Sequence, residues 1–238
     1  MIDFKTEKLI PLCEAFGFEL TNEAVKRLNI YGNLLLEWNE KINLTAIKEP
    51  EAVLYKHFYD CLLTFKHFSP LASSSIIDVG TGAGFPGLVF KIARPDLEIT
   101  LLDSLNKRVN FLNTVLGELS LKANTLHSRA EEAARNPLYR EKYDFATARA
   151  VAALPVLSEY CLPFVKKGGS FIALKGPSGE EELKNAANAI SLLGGKKDKI
   201  ICEALPENEQ RTLIFIKKIS QTPPKYPRIS TKISKQPL

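Results

Sequence analysis

Two hydrophobic periods divide the chain. Up to about residue 68 the apolar positions recur at helical spacing, with Leu9, Leu12 and Phe16 followed by Val25, Leu28, Leu35 and Leu36. That spacing gathers them on one helix face, and Thr21-Asn22-Glu23 has the composition of a helix start. A third helix is predicted from Glu51 to about His67, after which Pro70 and Ser73-Ser74-Ser75 mark a join. From Ile76 the pattern changes to short β-rich apolar runs at 76–79, 98–102, 124–128, 143–148, 170–174, 199–202 and 212–216, separated by amphipathic stretches. Strands alternating with helical segments predict a mostly parallel sheet with helices on both faces. The last two runs are joined by a loop, Pro206 to Gln210, rather than a helix, which predicts an antiparallel hairpin. The expected organisation is a helical region over 1–68, a sheet domain over 69–219 and a tail over 220–238.

Composition narrows the class of protein. The 238 residues are 45% hydrophobic and 25% charged, ordinary proportions for a globular chain of one α/β domain with an accessory element. No apolar run approaches the ~20 residues of a membrane span, and the amino terminus lacks a signal-peptide core. Cys13, Cys61, Cys161 and Cys202 are scattered, without a C-x-x-C pair or a histidine at ligand spacing, so reduced and mostly buried thiols in a cytoplasmic protein are expected, with no metal. The formal net charge is +5, and no acidic residue follows Glu209, whereas Arg211, Lys217, Lys218, Lys225, Arg228, Lys232 and Lys235 do. A one-signed tail suits a polyanion, and it equally suits a solvated terminus.

Candidate chemistry concentrates in Ile76-Ile77-Asp78-Val79-Gly80-Thr81-Gly82-Ala83-Gly84-Phe85-Pro86-Gly87, an apolar strand, a glycine turn and a proline suited to the first turn of a helix. Glycines there allow backbone to approach a ligand closely. Gly82 to Gly87 satisfies the G-x-G-x-x-G dinucleotide fingerprint, with Asp103 about 20 residues further on. Asp78 argues for a different ligand. A carboxylate beside the turn disfavours a pyrophosphate and favours a cation, and S-adenosylmethionine carries an ammonium and a sulfonium and no phosphate.

Ligands of open α/β sheets lie outside the carboxyl ends of the strands. The second strand ends at Asp103-Ser104, where a carboxylate could accept both hydroxyls of a ribose, or either residue could cap the following helix. The third ends before Arg129-Ala130-Glu131, where Ala130 and Glu131 could frame an adenine edge; helix-start acids are the alternative. The fourth ends at Arg149, suited to cofactor or to a phosphate-bearing substrate. That fourth end, Asp144-Phe145-Ala146-Thr147, lacks the Asn/Asp-Pro-Pro-aromatic loop common in methylation of exocyclic base amines, and no cysteine stands in a Pro-Cys setting for attack on a pyrimidine ring. An acceptor that is already nucleophilic remains, and guanine N7 with its free lone pair fits.

Asp78 to Gly87, followed by Asp103-Ser104-Leu105-Asn106-Lys107-Arg108, resembles the bacterial 16S rRNA guanine-N7 methyltransferase family, also called glucose-inhibited division protein B. Trp38-Asn39-Glu40-Lys41-Ile42-Asn43-Leu44-Thr45, His57-Phe58-Tyr59-Asp60, Thr147-Ala148-Arg149-Ala150-Val151, Lys175-Gly176, Glu180-Glu181-Glu182-Leu183 and Tyr226-Pro227-Arg228 agree with it, so the resemblance covers nearly the whole chain. It implies a class I methyltransferase (Rossmann-like) α/β fold, a seven-stranded mostly parallel sheet with an N-terminal helical extension. It also implies S-adenosylmethionine as cofactor and ribosomal RNA or the small ribosomal subunit as partner, with a monomer as the expected state. Cofactor contacts are implied at Gly80, Phe85, Ala130, Glu131 and Arg149, while Asp78 and Asp103 follow from the strand-end argument. Arg129 and Lys175 are implied near the acceptor guanine or its phosphates. Trp38 is expected to pack a helix onto its neighbour rather than to stack on RNA, and His57 and Asp60 to form a helical hydrogen bond rather than an acid–base pair. Cys61, Thr231 and Ile233 depart from the family pattern. Two other classes stay open: a nicotinamide-dependent oxidoreductase, for which no hydride-acceptor site is visible, and an RNA-binding module on a vestigial cofactor fold.

Overall fold

The helical period of the first third produces helices that begin and end where their side chains allow. The computed structural model describes residues 2–206 and 209–238. After α1 (Leu9–Glu14), the Thr21 hydroxyl accepts the Ala24 N–H at 3.1 Å and caps α2 (Asn22–Ile42). At the far end Asn43 takes φ 50°, and the side-chain oxygen Oδ1 of the buried Asn39 accepts from Leu44 N at 2.6 Å and Thr45 N at 2.8 Å. The predicted third helix is present as α3 (Pro50–Val53), a π turn (Leu54–Tyr59), α4 (Asp60–Leu62) and a 3-10 turn (Leu63–Lys66). Its widened middle turn carries Lys56 and His57, as π turns frequently do at functional sites.

The remaining elements are β1 (Ser75–Val79), α5 (Gly87–Ala93), β2 (Glu98–Asp103), α6 (Asn106–Glu118), β3 (Asn124–His127), α7 (Ala130–Ala133), β4 (Tyr143–Arg149), α8 (Leu154–Cys161), β5 (Val165–Lys175), α9 (Gly179–Asn185), α10 (Ala187–Leu192), β6 (Gly195–Ala204), β7 (Gln210–Lys218) and α11 (Ser230–Lys235). They form one seven-stranded sheet in the order β3-β2-β1-β4-β5-β7-β6. β1 to β5 are mutually parallel where they pair, and β7 runs antiparallel to both neighbours. All seven predicted strands are present. β5 and β6 start earlier than their apolar runs, because Lys166-Lys167-Gly168-Gly169 and Lys196-Lys197-Asp198-Lys199 hide strand under charged and glycine residues. In β5 the pairing with β4 jumps from Val165 opposite Tyr143 to Ser170 opposite Phe145, a bulge that holds the masking residues. The predicted hairpin loop from Pro206 to Gln210 includes Glu207 and Asn208, which lie outside the described residues.

Two apolar layers cover the sheet. One joins Phe4, Leu9, Leu28, Tyr31, Leu35 and Phe58 of the first 68 residues to Phe90 of α5 and Phe111 of α6, so the helical extension shares a core with the sheet domain. Burial of each such leucine or aromatic side chain stabilises that contact by about 2 kcal/mol. The other layer lies under α8, α9 and α10. Trp38 packs on Phe111 at 5.6 Å between ring centres, the helix-packing role expected of it.

The basic tail is strapped down. Thr222, Tyr226 and Ile233 are buried. Arg140 donates to the carbonyls of Thr222 at 2.7 Å and Tyr226 at 2.9 Å, and the Arg228 fork pairs with the buried Glu159, Nη2 to Oε2 at 2.7 Å. Arg228 is thereby neutralised, which corrects the picture of a uniformly cationic arm; Lys225, Lys232 and Lys235 remain exposed. Cys13, Cys61 and Cys161 are buried free thiols and Cys202 is exposed. Among the described residues no helix is long and apolar enough to cross a membrane, and no three or more potential metal ligands cluster.

Candidate active site

The glycine turn after β1 folds inward. Gly80, Gly82 and Gly84 take φ of 68°, 60° and 108°, which a residue with a β-carbon rarely adopts. The N–H groups of Gly80 and Thr81 donate to Leu102 O at 2.9 and 3.0 Å, Gly82 N–H to Asp103 Oδ2 at 2.9 Å, and those of Gly84 and Phe85 to Thr81 O. A pyrophosphate-binding turn needs such donors aimed at the anion. Here they are committed to the protein, which removes the dinucleotide reading.

Asp78 is where the structure departs from the sequence argument. Its side chain has no exposed area, and Oδ2 accepts from Thr81 Oγ1 at 2.5 Å and Gly87 N at 2.9 Å, while Oδ1 accepts from Thr147 Oγ1 at 3.1 Å. The carboxylate therefore does not face a cationic ligand; it ties β1, the turn, the start of α5 and β4 together. Burial raises its pKa to about 6, opposed by those three hydrogen bonds. The turn is also braced from outside the sheet domain, because Tyr31 of α2 donates from Oη to Ala83 O at 2.5 Å. Tyr31→Phe leaves that carbonyl without its donor and is expected to lower stability by about 1 kcal/mol and weaken cofactor binding several-fold, read by thermal unfolding and by titration. Unchanged affinity would show that the brace does not reach the binding surface.

Two cavities open at the carboxyl edge of the sheet and meet at Ala150. The first, about 240 Å³, is lined by Val79 and Gly80 of the turn, Asp103, Ser104 and Arg108, Arg129 to Glu131, and Ala150, Val151 and Tyr160. Its walls fit an adenosyl group. A β-carbon on Gly80 would come within 2.8 Å of Val151, so only glycine keeps this wall open. Asp103, nearly buried, accepts from Leu105 N at 2.9 Å on Oδ1 and retains lone pairs for hydroxyl donors. Arg108 Nε is buried with no protein partner, an orphan donor that a ligand oxygen would satisfy. Ser104 does not cap α6, whose N-cap residue is Leu105.

The second cavity, about 310 Å³, is lined by Ile47, Lys56, His57, Asp60, Arg149, Leu174, Lys175, Gly176, Glu182 and Arg211 besides Ala150. Arg149 thus lines this cavity, next to Ala150, which the two cavities share. Its Nη1 donates to Asp60 Oδ2 at 2.9 Å and Lys56 O at 3.1 Å, and Asp60 Oδ1 accepts from Arg211 Nε at 2.9 Å. Phe85 lines neither cavity. It is 6% exposed, stacked on His57 at 4.4 Å beneath the Arg149 guanidinium at 4.6 Å, and supports the second cavity's floor from inside. Arg129 lies on the first cavity's rim, and Lys175 in the second. Sequence reading missed Lys56, Arg211 and Glu182 as cavity residues, since none stands at the carboxyl end of a parallel strand.

His57 and Asp60 bond not to each other but both to Arg149, Nη2 lying 3.1 Å from His57 Nδ1. Nδ1 also lies 3.2 Å from Lys56 O, to which it could only donate, but a guanidinium only donates, so facing Arg149 Nδ1 accepts, and Nε2 carries the hydrogen and donates to Thr45 Oγ1 at 2.8 Å. Burial and then the Arg149 charge lower the His57 pKa to about 3. Between pH 6.5 and about 3 the unfolded chain binds a proton that the folded chain refuses, so this residue subtracts stability as pH falls through that window. Asp78, holding its proton up to about pH 6, acts with the opposite sign below that pH. The difference between wild type and His57→Gln isolates the histidine. Relative to its value at pH 7, the variant's stability is expected to improve on wild type by roughly 1 kcal/mol per pH unit below 6.5, measured by urea unfolding; parallel curves would contradict a neutral His57.

A seven-stranded sheet with one reversed strand, an inward-bonded glycine turn and an adenosyl-sized cavity beside it define a class I, S-adenosylmethionine-dependent methyltransferase. The family model described as rRNA small subunit methyltransferase G matches residues 24–214. The chain belongs to that family. It is 51% identical over 229 residues to the Ribosomal RNA small subunit methyltransferase G of Clostridium botulinum (strain ATCC 19397 / Type A), and 50% identical over 228 residues to the protein of that name from Clostridium perfringens (strain SM101 / Type A), covering 95% of each chain in both pairs. Among solved structures it is similar in fold to a SAM dependent methyltransferase from Aquifex aeolicus, with a TM-score of 0.53, 19% identity and coverage of 72% of this chain and 94% of that one. A 16S rRNA (adenine(1408)-N(1))-methyltransferase superposes with a TM-score of 0.53 at 13% identity over 66% of this chain and 88% of that one.

Proposed function

We propose that this chain, acting as a cytoplasmic monomer, transfers a methyl group from S-adenosylmethionine to N7 of a guanine in small-subunit ribosomal RNA. The observation that carries the reading is that every group in the second cavity able to act as a base is already engaged. His57 offers its one acceptor nitrogen to Arg149, Asp60 is shared between Arg149 and Arg211, and Glu182 Oε2 accepts from Lys175 Nζ at 2.7 Å. Methylating an exocyclic amine or a hydroxyl releases a proton that a base must take; guanine N7 has no proton to lose. Cys61 and Cys161 are buried, and burial raises both thiols far above neutrality, which argues against cysteine attack on a pyrimidine.

When bound, the cofactor supplies a methyl carbon on a positively charged sulfur. Gly80, Asp103, Arg108, Ala130 and Glu131 hold it in the first cavity. In the second, Lys56, Arg149, Lys175 and Arg211 suit a nucleotide's phosphate and the guanine O6, and a donor on O6 leaves the N7 lone pair free to attack. Arg129, on the outer rim beside Arg135, suits the phosphates of neighbouring nucleotides. Catalysis then consists of alignment and exclusion of water. The test is transfer of labelled methyl from S-adenosylmethionine to unmodified small subunits, with nucleoside analysis of the digested RNA. Label as 7-methylguanosine is expected; label in any other nucleoside would overturn the N7 assignment.

A further inference from the structure

Between the end of β4 at Arg149 and the start of α8 at Leu154 the chain has no regular structure, yet it forms the partition between the two cavities. Ala150 lines both, and Val151 packs against Gly80 on the cofactor side. Ala150 has φ 56°, a left-handed conformation that costs a residue with a β-carbon about 1–2 kcal/mol. A strained, exposed segment keeps such a shape only when something outside it fixes it.

One ion pair does so at two points. Lys175 Nζ, at the end of β5, donates to Ala152 O at 2.9 Å. Glu182 of α9 pairs with Lys175 Nζ at 2.7 Å and accepts Leu154 N–H at 2.8 Å through the same oxygen, Oε2. Its other oxygen accepts from Ser178 Oγ at 3.0 Å, which sets the plane of the carboxylate. The N-cap residue of α8 is Ala153, whose side chain offers no acceptor, and the residue after Leu154 is Pro155, which has no N–H. Glu182 therefore anchors the first donor of α8 and, through Lys175, the middle of the partition.

We propose that Glu182 is a positioning residue for methyl transfer: with Lys175 it fixes the Ala150–Ala153 partition, and so sets how donor and acceptor cavities face each other. This rests on the assignment of the two cavities made above. A displacement of about 1 Å at such a junction is enough to cost about a hundred-fold in rate, while leaving the cofactor wall formed by Gly80, Asp103 and Glu131 in place.

The experiment compares full-length wild type, Glu182→Ala and Glu182→Gln. It measures single-turnover methylation of unmodified small subunits at saturating S-adenosylmethionine, cofactor affinity by titration, and melting temperature. Glu182→Ala is expected to lower the single-turnover rate about ten-fold or more while cofactor affinity stays within about three-fold. Glu182→Gln, whose amide oxygen still accepts from Leu154 N–H, is expected to recover most of the rate. A rate within about two-fold of wild type in a folded Glu182→Ala protein would overturn the proposal. So would a joint loss of rate, affinity and melting temperature that glutamine does not rescue, because that marks a general structural role. Failure of wild type itself to form 7-methylguanosine would count against the cavity assignment instead, so the two failures are distinguishable.

Discussion

Asp78→Ala is expected to abolish S-adenosylmethionine binding, whereas Asp78→Asn is expected to keep it within about three-fold. The alanine variant leaves Gly87 N–H, Thr81 Oγ1 and Thr147 Oγ1 without their acceptor in a site with no exposed area. Each stranded buried group costs about 1–3 kcal/mol, so the turn, and much of the fold's stability, should be lost. Asparagine can keep its oxygen toward Thr81 and Gly87 and turn its amide toward Thr147, whose hydroxyl accepts as readily as it donates. A carboxylate that bound a ligand cation would give the opposite result for asparagine. Calorimetric titration with S-adenosylmethionine, paired with unfolding curves, separates these; a hundred-fold loss in a stable Asp78→Asn protein would restore the direct-contact role.

The second large effect is expected at Asp60. This side chain is 5% exposed and bridges two guanidiniums, Arg149 through Oδ2 and Arg211 through Oδ1, each at 2.9 Å. Removing one partner of a buried ion pair costs about 3–5 kcal/mol because the remaining charge is stranded. Here two cations would be stranded side by side, so they should swing apart and the second cavity lose its shape. Asp60→Ala is expected to lower methylation by about a hundred-fold or more with cofactor affinity little changed, since no Asp60 contact touches the first cavity. Asp60→Asn, retaining an acceptor but not the charge, should fall between. Measured cofactor affinity falling in step with rate would mean that the two cavities are not separable in this way.

Most of the scaffold was legible because its signals are local. Short β-rich apolar runs marked every strand and helical spacing the long helices, and Thr21 and the glycine turn marked themselves. What escaped were features created by pairing. The first half of β6 is a charged run with no apolar period, held as strand by β7, and residues 166–169 of β5 occupy the bulge between its pairings to β4. Asp78 was recognised as decisive but for the wrong neighbour. Its partners Gly87 and Thr147 come together only when α5 and β4 pack beside β1, and the dinucleotide reading falls instead on where the N–H groups of the turn point. Arg211 was invisible for a related reason: in sequence it opens a strand and reads as one more tail cation.

That reversed strand has a consequence for how the enzyme can change. Because β7 runs against its neighbours, its beginning reaches the edge where β1, β2 and β4 finish, and Arg211 arrives there from the last quarter of the chain. On the assignment proposed above, the donor chamber is assembled from segments 79–131 and 150–160, whereas the acceptor chamber draws on 47–60, 149–150, 174–182 and 211. The two halves of the reaction are thus written in nearly separate stretches of sequence with Ala150 as their single shared letter. Substitutions that retune which nucleotide is accepted can accumulate without rewriting the part that holds the methyl source.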